Sequence, residues 1–239
     1  MDRIGKLKES FGLLNITLTD RQYEQFLEYY ELLIEWNKVM NLTGITDFEE
    51  VVMKHFVDSL ALVYAVDVDK SYKVLDLGTG AGFPGIPLKI AFPNLDIVLL
   101  DSLNKRIKFL DEVITKLGLE NIVAIHGRAE EFAKKEDYRE QFDLCVSRAV
   151  ANLATLSEYC IPYVKKQGYF IPYKSGAIEE ELETSKKAIG VLGGKVKEVK
   201  TFLLPQSDIS RSLVIIKKEK ETQKKYPRSG GKPIKEPIL

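Results

Sequence analysis

The chain has 239 residues, 45% apolar and 29% charged, an ordinary globular composition with enough length to bury a sizeable core in one or two domains. No apolar run approaches the roughly 20 residues that span a bilayer and no secretory signal opens the chain, which argues against a membrane role. Two cysteines, Cys145 and Cys160, and two histidines, His55 and His126, are too few for a disulfide framework or a metal cluster. A reducing, cytoplasmic protein without a metal is therefore expected. The net charge is zero but unevenly divided: residues 1–70 hold 7 Lys/Arg against 13 Asp/Glu, and the last 23 residues hold 8 against 3. Any polyanion contact should fall on the C-terminal portion.

In chain order, Thr19 with Gln22 forms a capping box ahead of Tyr23, Phe26, Tyr30, Leu33, Ile34 and Met40 at helical spacing, which predicts one amphipathic helix of about six turns. Asp47 with Glu50 caps a second helix whose Val51, Val52, Phe56, Leu60 and Val63 point inward. His55 and Asp58 ride on it three residues apart, either as a hydrogen-bonded surface pair or as part of a pocket mouth. A polar connector at 67–72 closes a helical cap over residues 1–70. From Lys73 short apolar runs alternate with helices, the pattern of a parallel sheet covered on both faces. Seven strands are predicted, at 73–77, 97–100, 122–125, 142–147, 169–173, 196–202 and 213–217. The loop between the last two is too short for a helical crossover, so one strand must run antiparallel. The main domain spans 71–218, and 219–239 is a basic tail.

The first crossover carries the chemistry. Lys73–Leu88 reads KVLDLGTGAGFPGIPL, a buried strand, four glycines and a helix, the first half of a nucleotide-cradling unit. A pyrophosphate needs free N–H donors at the helix start, and Pro84 and Pro87 remove two of them. No Lys-Ser or Lys-Thr follows the glycines, which excludes a Walker loop. The Asp76 carboxylate repels an anion but suits an ammonium or sulfonium group, so the loop resembles the S-adenosylmethionine site of class I methyltransferases. Asp101, at the end of the second strand, suits both hydroxyls of a ribose. Glu130, in Gly127-Arg128-Ala129-Glu130, is placed to accept from an adenine amine. At the exit of strand four, Ser147-Arg148-Ala149-Val150 lacks the Asn/Asp-Pro-Pro-Tyr/Phe clamp of enzymes that alkylate exocyclic amines. It also lacks an exposed cysteine nucleophile, since Cys145 lies inside the apolar run. Guanine N7 fits such an absence, because its in-plane lone pair carries no proton and needs no general base. In-line placement and exclusion of water then carry the rate, with Arg148 positioning the guanine or a phosphate.

The segments DLGTGAGFPGIPL, LLDSLNKRIKFL, HGRAEEF and VSRAVA, with NLTGI (Asn41–Ile45), HFVDSL (His55–Leu60) and the tail Pro227–Leu239, together resemble ribosomal small-subunit methyltransferase G, also called glucose-inhibited division protein B. The resemblance spans nearly the whole chain in the family's order. It implies an α/β fold of the class I S-adenosylmethionine-dependent methyltransferase type, a Rossmann-like, seven-stranded, mostly parallel sheet. It further implies methyl transfer to N7 of one guanosine in 16S ribosomal RNA, free or within the small ribosomal subunit, with no obligate protein partner. Gly78, Phe83, Ala129, Glu130 and Arg148 carry over as cofactor contacts, and Gly80 and Asp101 join them on the physical argument. For RNA, Lys105, Arg106, Arg128, Lys165, Lys166 and Lys174 are expected around the strand C-termini. Lys224, Lys225, Arg228, Lys232 and Lys235 of the tail are expected to fold over bound RNA. Removal of the tail after Lys218 should then weaken RNA binding and spare the cofactor. A nicotinamide-dependent oxidoreductase and a non-catalytic RNA-binding module on the same fold are the alternatives.

Overall fold

A computed structural model describes residues 2–149 and 151–239; Val150, the last residue of the strand-four exit motif, lies outside them. A helix not anticipated from the sequence, α1 (Arg3–Gly12), opens the chain, its first turn closed by the Asp2 carboxylate accepting from Gly5 N at 2.7 Å. Helix α2 (Asp20–Met40) has the expected capping box, in which Thr19 and Gln22 satisfy each other's backbone N–H groups. It ends on Asn41 at φ 49°, a left-handed stop that asparagine tolerates. The second cap helix is less regular than its spacing implies. After α3 (Phe48–Val51) the chain winds as a π-helix over Val52–Val57, returns to α-geometry in α4 (Asp58–Leu60), and tightens to a 3-10 turn at Ala61–Tyr64.

The main body alternates β1 (Lys73–Leu77), α5 (Gly85–Ala91), β2 (Asp96–Asp101), α6 (Asn104–Leu117), β3 (Ile122–His126), α7 (Ala129–Phe132), β4 (Phe142–Ser147), α8 (Leu153–Cys160), β5 (Val164–Ser175), α9 (Glu179–Val191), β6 (Gly194–Leu203) and β7 (Ser210–Lys218). All seven expected strands are present, in the order β3-β2-β1-β4-β5-β7-β6. Strand β7 runs antiparallel to both of its neighbours, which meets the topological requirement set by the short final loop. The order reverses between β1 and β4, and in such sheets a crevice opens beyond the C-terminal strand ends at that point. A short helix, α10 (Lys232–Lys235), closes the chain. Among the described residues no helix is long and apolar enough to cross a membrane.

The period-2 alternation of the strands decides what faces what. Val74, Ile97, Leu99, Leu144 and Val146 share one core with Phe11, Phe26, Tyr29 and Phe56 of the N-terminal helices. Leu75, Leu77, Val98, Leu100 and Cys145 face the other way, into a core with Leu153, Tyr163 and Ile189. By the same alternation Asp76, Asp101 and Arg148 fall on the side of the N-terminal helices. That single parity brings residues 1–70 to the functional crevice.

Candidate functional site

The turn after β1 is held by its own backbone. Gly78 N donates to Leu100 O at 2.8 Å, Gly80 N to the Asp101 carboxylate at 2.9 Å, and Gly82 N and Phe83 N both to Thr79 O at 2.9 Å. The N–H groups expected to be free for a ligand are thus used inside the loop, which is rigid and offers a pyrophosphate no cradle. Gly82 sits at φ +97°, and a Cβ there would lie 2.5 Å from Ile86 Cγ1 and 2.9 Å from the Tyr29 hydroxyl. Tyr29 closes the turn from below by donating its hydroxyl to Ala81 O.

Asp76 departs from the expectation. Its side chain is fully buried, and its Oδ2 accepts from Thr79 Oγ1 at 2.6 Å and Gly85 N at 2.8 Å, pinning the two ends of the loop together. Its place one residue inside the end of β1 sets the group beneath the loop, outside the lining of the crevice where a cationic ligand would meet it. Its Oδ1 is buried without a partner, and burial raises the carboxyl to about 7 from the ordinary 3.8.

Above the loop lies a cavity of about 700 Å³. The structure brings Gly78, Gly80, Phe83, Asp101, Ala129, Glu130 and Arg148 together as its lining, all seven of the residues expected for a cofactor. Asp101 terminates β2 with its carboxylate braced by Gly80 N, by Leu103 N at 2.9 Å and by Arg106 at 3.1 Å. Ala129 and Glu130 begin α7 on the facing wall. Arg106 and Arg128 also line the cavity, Arg128 mostly exposed. Sequence reasoning had not singled out Thr43, Leu103, Tyr159, Gly231 or Ile234, which complete the walls. They come from four separate segments, and no single local pattern brings them together.

Arg148 is held in the site by several hydrogen bonds. Its guanidinium donates to Asp58 Oδ2 and to His55 Nδ1, both at 3.0 Å, and lies 5.3 Å above the Phe83 ring. Arginine can only donate, so His55 Nδ1 accepts, and its Nε2–H donates to Thr43 Oγ1 at 2.8 Å. The imidazole stacks on Phe83 with centroids 4.5 Å apart. Burial, and then the Arg148 charge, lower its pKa to about 4 from 6.5. His55 and Asp58 are not a surface pair. Asp58 is 4% exposed, and both groups turn inward to the arginine rather than to each other. The π-helical turn that carries His55 shifts the register of this segment, which is why simple helical spacing misplaced it.

Asp58 also accepts from Arg211 Nε at 3.1 Å, so one buried carboxylate bridges two arginines from β7 and the β4 exit. Behind Arg148 a second hollow of about 420 Å³ is lined by Lys54, Lys174 and Arg211 as well as Arg148. Arg211 had no signal in the sequence, because its partner lies 153 residues away.

The expected RNA cations are scattered. Lys105 is exposed at the start of α6, while Lys174 sits in the second hollow, paired with Glu181 at 2.6 Å. Lys165 and Lys166 open β5, where Val164 pairs with Phe142, the first residue of β4. They therefore lie at the opposite end of the sheet from the crevice, and Lys165 is bound to Asp143. The expectation that they ring the strand C-termini is corrected: β5 begins five residues earlier than its apolar run. Arg228 is likewise not a free cation. It is clamped on Glu158 with Nη2 to Oε2 at 2.7 Å and Nε to Oε1 at 2.9 Å.

The two shifted groups give opposite pH signatures. For Asp76, raised to about 7, the folded state holds the extra proton, so its contribution is complete below about pH 4 and lost as pH rises to about 7. For His55, lowered to about 4, the contribution is complete above about pH 6.5 and lost as pH falls to about 4. Urea unfolding across this range should show the stability advantage of wild type over Asp76→Asn shrinking as pH rises. The advantage over His55→Gln should shrink as pH falls. Parallel curves for wild type and either variant would contradict the corresponding assignment.

A crevice with a carboxylate for a diol, a second carboxylate for an amine, apolar walls and a loop whose N–H groups are consumed fits a nucleoside that carries a cation. It does not fit a dinucleotide. The comparisons agree with this chemistry. Residues 22–213 match the family model described as rRNA small subunit methyltransferase G. The ribosomal RNA small subunit methyltransferase G of Lachnoclostridium phytofermentans is 60% identical over 226 residues, 95% of this chain and 93% of that protein. The Clostridium novyi protein of the same name is 51% identical over the same shares of the two chains. Among solved structures, M. jannaschii TYW2 in complex with AdoMet superposes with a TM-score of 0.52 at 16% identity, covering 64% of this chain and 70% of that one, a likeness of fold.

Proposed function

Because the chain belongs to the rRNA small subunit methyltransferase G family, we infer that it is an S-adenosylmethionine-dependent methyltransferase of 16S ribosomal RNA that acts at N7 of a guanosine. It works in the cytoplasm, on free RNA or on the small ribosomal subunit, without an obligate protein partner. The observation that carries the choice of atom is the exit of β4. That position holds an immobilised arginine where amine-alkylating enzymes hold a proline clamp and cytosine-C5 enzymes a reactive cysteine. Cys145 is fully buried on the far face of the sheet, and burial pushes its thiol well above the range in which a thiolate forms.

S-adenosylmethionine, when bound, supplies an electrophilic methyl group in the crevice. Asp101 would hold the ribose hydroxyls in exchange for its contact with Arg106, and Glu130 would accept from the adenine amine. Phe83, stacked by His55 and braced by Tyr29, shields the reacting face from water. Guanine N7 has no proton to lose, so the residues around it need only orient the base and exclude solvent. Arg148 lines both the crevice and the basic hollow, and its N–H groups not given to Asp58 and His55 suit the target nucleotide's carbonyl or its phosphate. The neighbouring Lys54, Lys174 and Arg211 suit the flanking phosphates.

The test is transfer of labelled methyl from S-adenosylmethionine to deproteinised 16S RNA and to small subunits, followed by nucleoside mass analysis. The expected product is 7-methylguanosine. Label on an exocyclic amine, or hydride chemistry with a nicotinamide cofactor in place of methyl transfer, would overturn the reading.

A further inference from the structure

The C-terminal tail folds back along the protein as a strap that passes the crevice at Gly231 and Ile234. Arg139 fastens its beginning, donating to the carbonyls of Thr222, Gln223 and Tyr226 at 2.7, 3.2 and 3.0 Å. Lys218, 1% exposed, adds contacts to Thr222 Oγ1 at 2.6 Å and Glu140 at 2.9 Å. The central fastening is the Arg228 pair with Glu158, whose carboxylate is 1% exposed and also accepts from Arg228 N at 2.8 Å. Beyond it Gly230 and Gly231, at φ +69° and +72°, turn the chain inward through a conformation that side chains rarely adopt. Pro233 is then buried, its carbonyl held by Thr155 Oγ1 at 2.9 Å.

These anchors hold one side chain that they do not bury. Ile234 is 66% exposed, yet it lines the same crevice as Ala129, Glu130 and Tyr159. Every neighbour that fixes it is satisfied, and the isoleucine itself gains nothing in the unliganded fold. An apolar side chain fixed in that position on a cavity wall is suited to an apolar face presented by a ligand.

We propose that the strap forms the outer wall of the nucleoside half of the cofactor site, with Ile234 packing on the base of bound S-adenosylmethionine and the Arg228–Glu158 pair as its positioning device. This rests on the crevice binding that cofactor, as inferred above. It also revises the expectation that the tail serves RNA alone, since removal after Lys218 deletes part of the cofactor wall.

Calorimetric titration of the full chain with S-adenosylhomocysteine and with 5′-methylthioadenosine tests it. Ile234→Ala should raise Kd about 3- to 10-fold for both ligands, because both carry the base. Ile234→Met should restore most of the affinity, and Val39→Ala, at an equally exposed apolar site, should leave it unchanged. Ile234 is too exposed for its truncation to unfold the protein. Glu158→Gln, with Ile234 intact, should weaken both ligands similarly by loosening the strap. The melting temperature of Ile234→Ala should stay within about 2 °C of wild type, which a general structural defect would not allow. Wild-type affinity in Ile234→Ala would overturn the proposal, as would a loss confined to S-adenosylhomocysteine. No binding of either ligand by wild type would instead overturn the cofactor reading beneath it.

Discussion

Replacing Arg148 with alanine is expected to reduce methyl transfer about 100- to 1000-fold, the scale on which loss of a positioning group acts on a correctly bound reactant. The arginine holds His55 by Nδ1 and Asp58 by a carboxylate oxygen, and it covers Phe83. Its removal releases His55 and Phe83 on the wall of the crevice and Asp58 on that of the second hollow. Asp58, 4% exposed, would keep only Arg211 as a charged partner. Breaking a buried ion pair from one side costs about 3–5 kcal/mol, and the surviving arginine should hold the loss near the lower figure, about 3 kcal/mol. Arg148→Lys separates charge from geometry. A lysine retains the cation but cannot reach His55 and Asp58 together, so it should recover stability more than rate. Single-turnover methylation at saturating cofactor and RNA, paired with urea unfolding, reads both effects. Wild-type turnover in Arg148→Ala would remove the arginine from the reaction altogether.

Gly85→Ala is expected to destabilise the protein strongly for a change of a single methyl group. Gly85 opens α5 at the point where the helix meets the sheet, and an added Cβ would lie 2.2 Å from Leu99 Cδ2 and 2.9 Å from Asp76 Oδ2. Neither neighbour can withdraw. Leu99 is fully buried in β2, and Asp76 receives the Gly85 N–H itself. The helix must therefore lift from the sheet, breaking the contact that closes the glycine loop. Overpacking of a dense core costs about 1–3 kcal/mol, and the lost hydrogen bond to a buried carboxylate adds about 1 kcal/mol or more. At about 2–4 °C per kcal/mol for a chain of this size, thermal melting should fall by roughly 4–16 °C. Cofactor affinity should fall with it, because Gly80 N and Asp101 are braced through the same loop. A melting temperature within about 2 °C of wild type would show that the helix is not held as tightly as its packing indicates.

Both predictions concern residues that were visible in the sequence, but for unequal reasons. The strand-glycine-helix pattern at Lys73–Leu88 declares itself through local chemistry, since no other use of four glycines after a buried strand satisfies the turn. Asp101 and Glu130 follow from it, because the ends of successive parallel strands must converge. The role of Asp76 was misread. A carboxylate in that motif looks available, and only the loop folding back over the end of β1 buries it, where its partners are Thr79 and Gly85. Lys165 and Lys166 were misplaced because a bulge between Phe142 and Leu144 lets β5 start before its apolar run. Arg228 was expected to meet RNA with the rest of the tail, and its buried partner Glu158 lies 70 residues away on a helix the sequence did not mark.

The sequence by itself determined the strands, the reversal of the final pair, the glycine turn and the class of ligand it accepts. Each of these depends on residues within a few positions of one another, where hydrophobic period and backbone sterics act directly. Tertiary structure alone decided that Asp58 joins Arg148 to Arg211, that His55 is neutral and stacked on Phe83, and that the tail turns inward to place Ile234 on the crevice. Those outcomes require charges and rings to meet across long separations. Burial raises the cost of leaving any of them unpaired, so packing, not spacing, selects the partner.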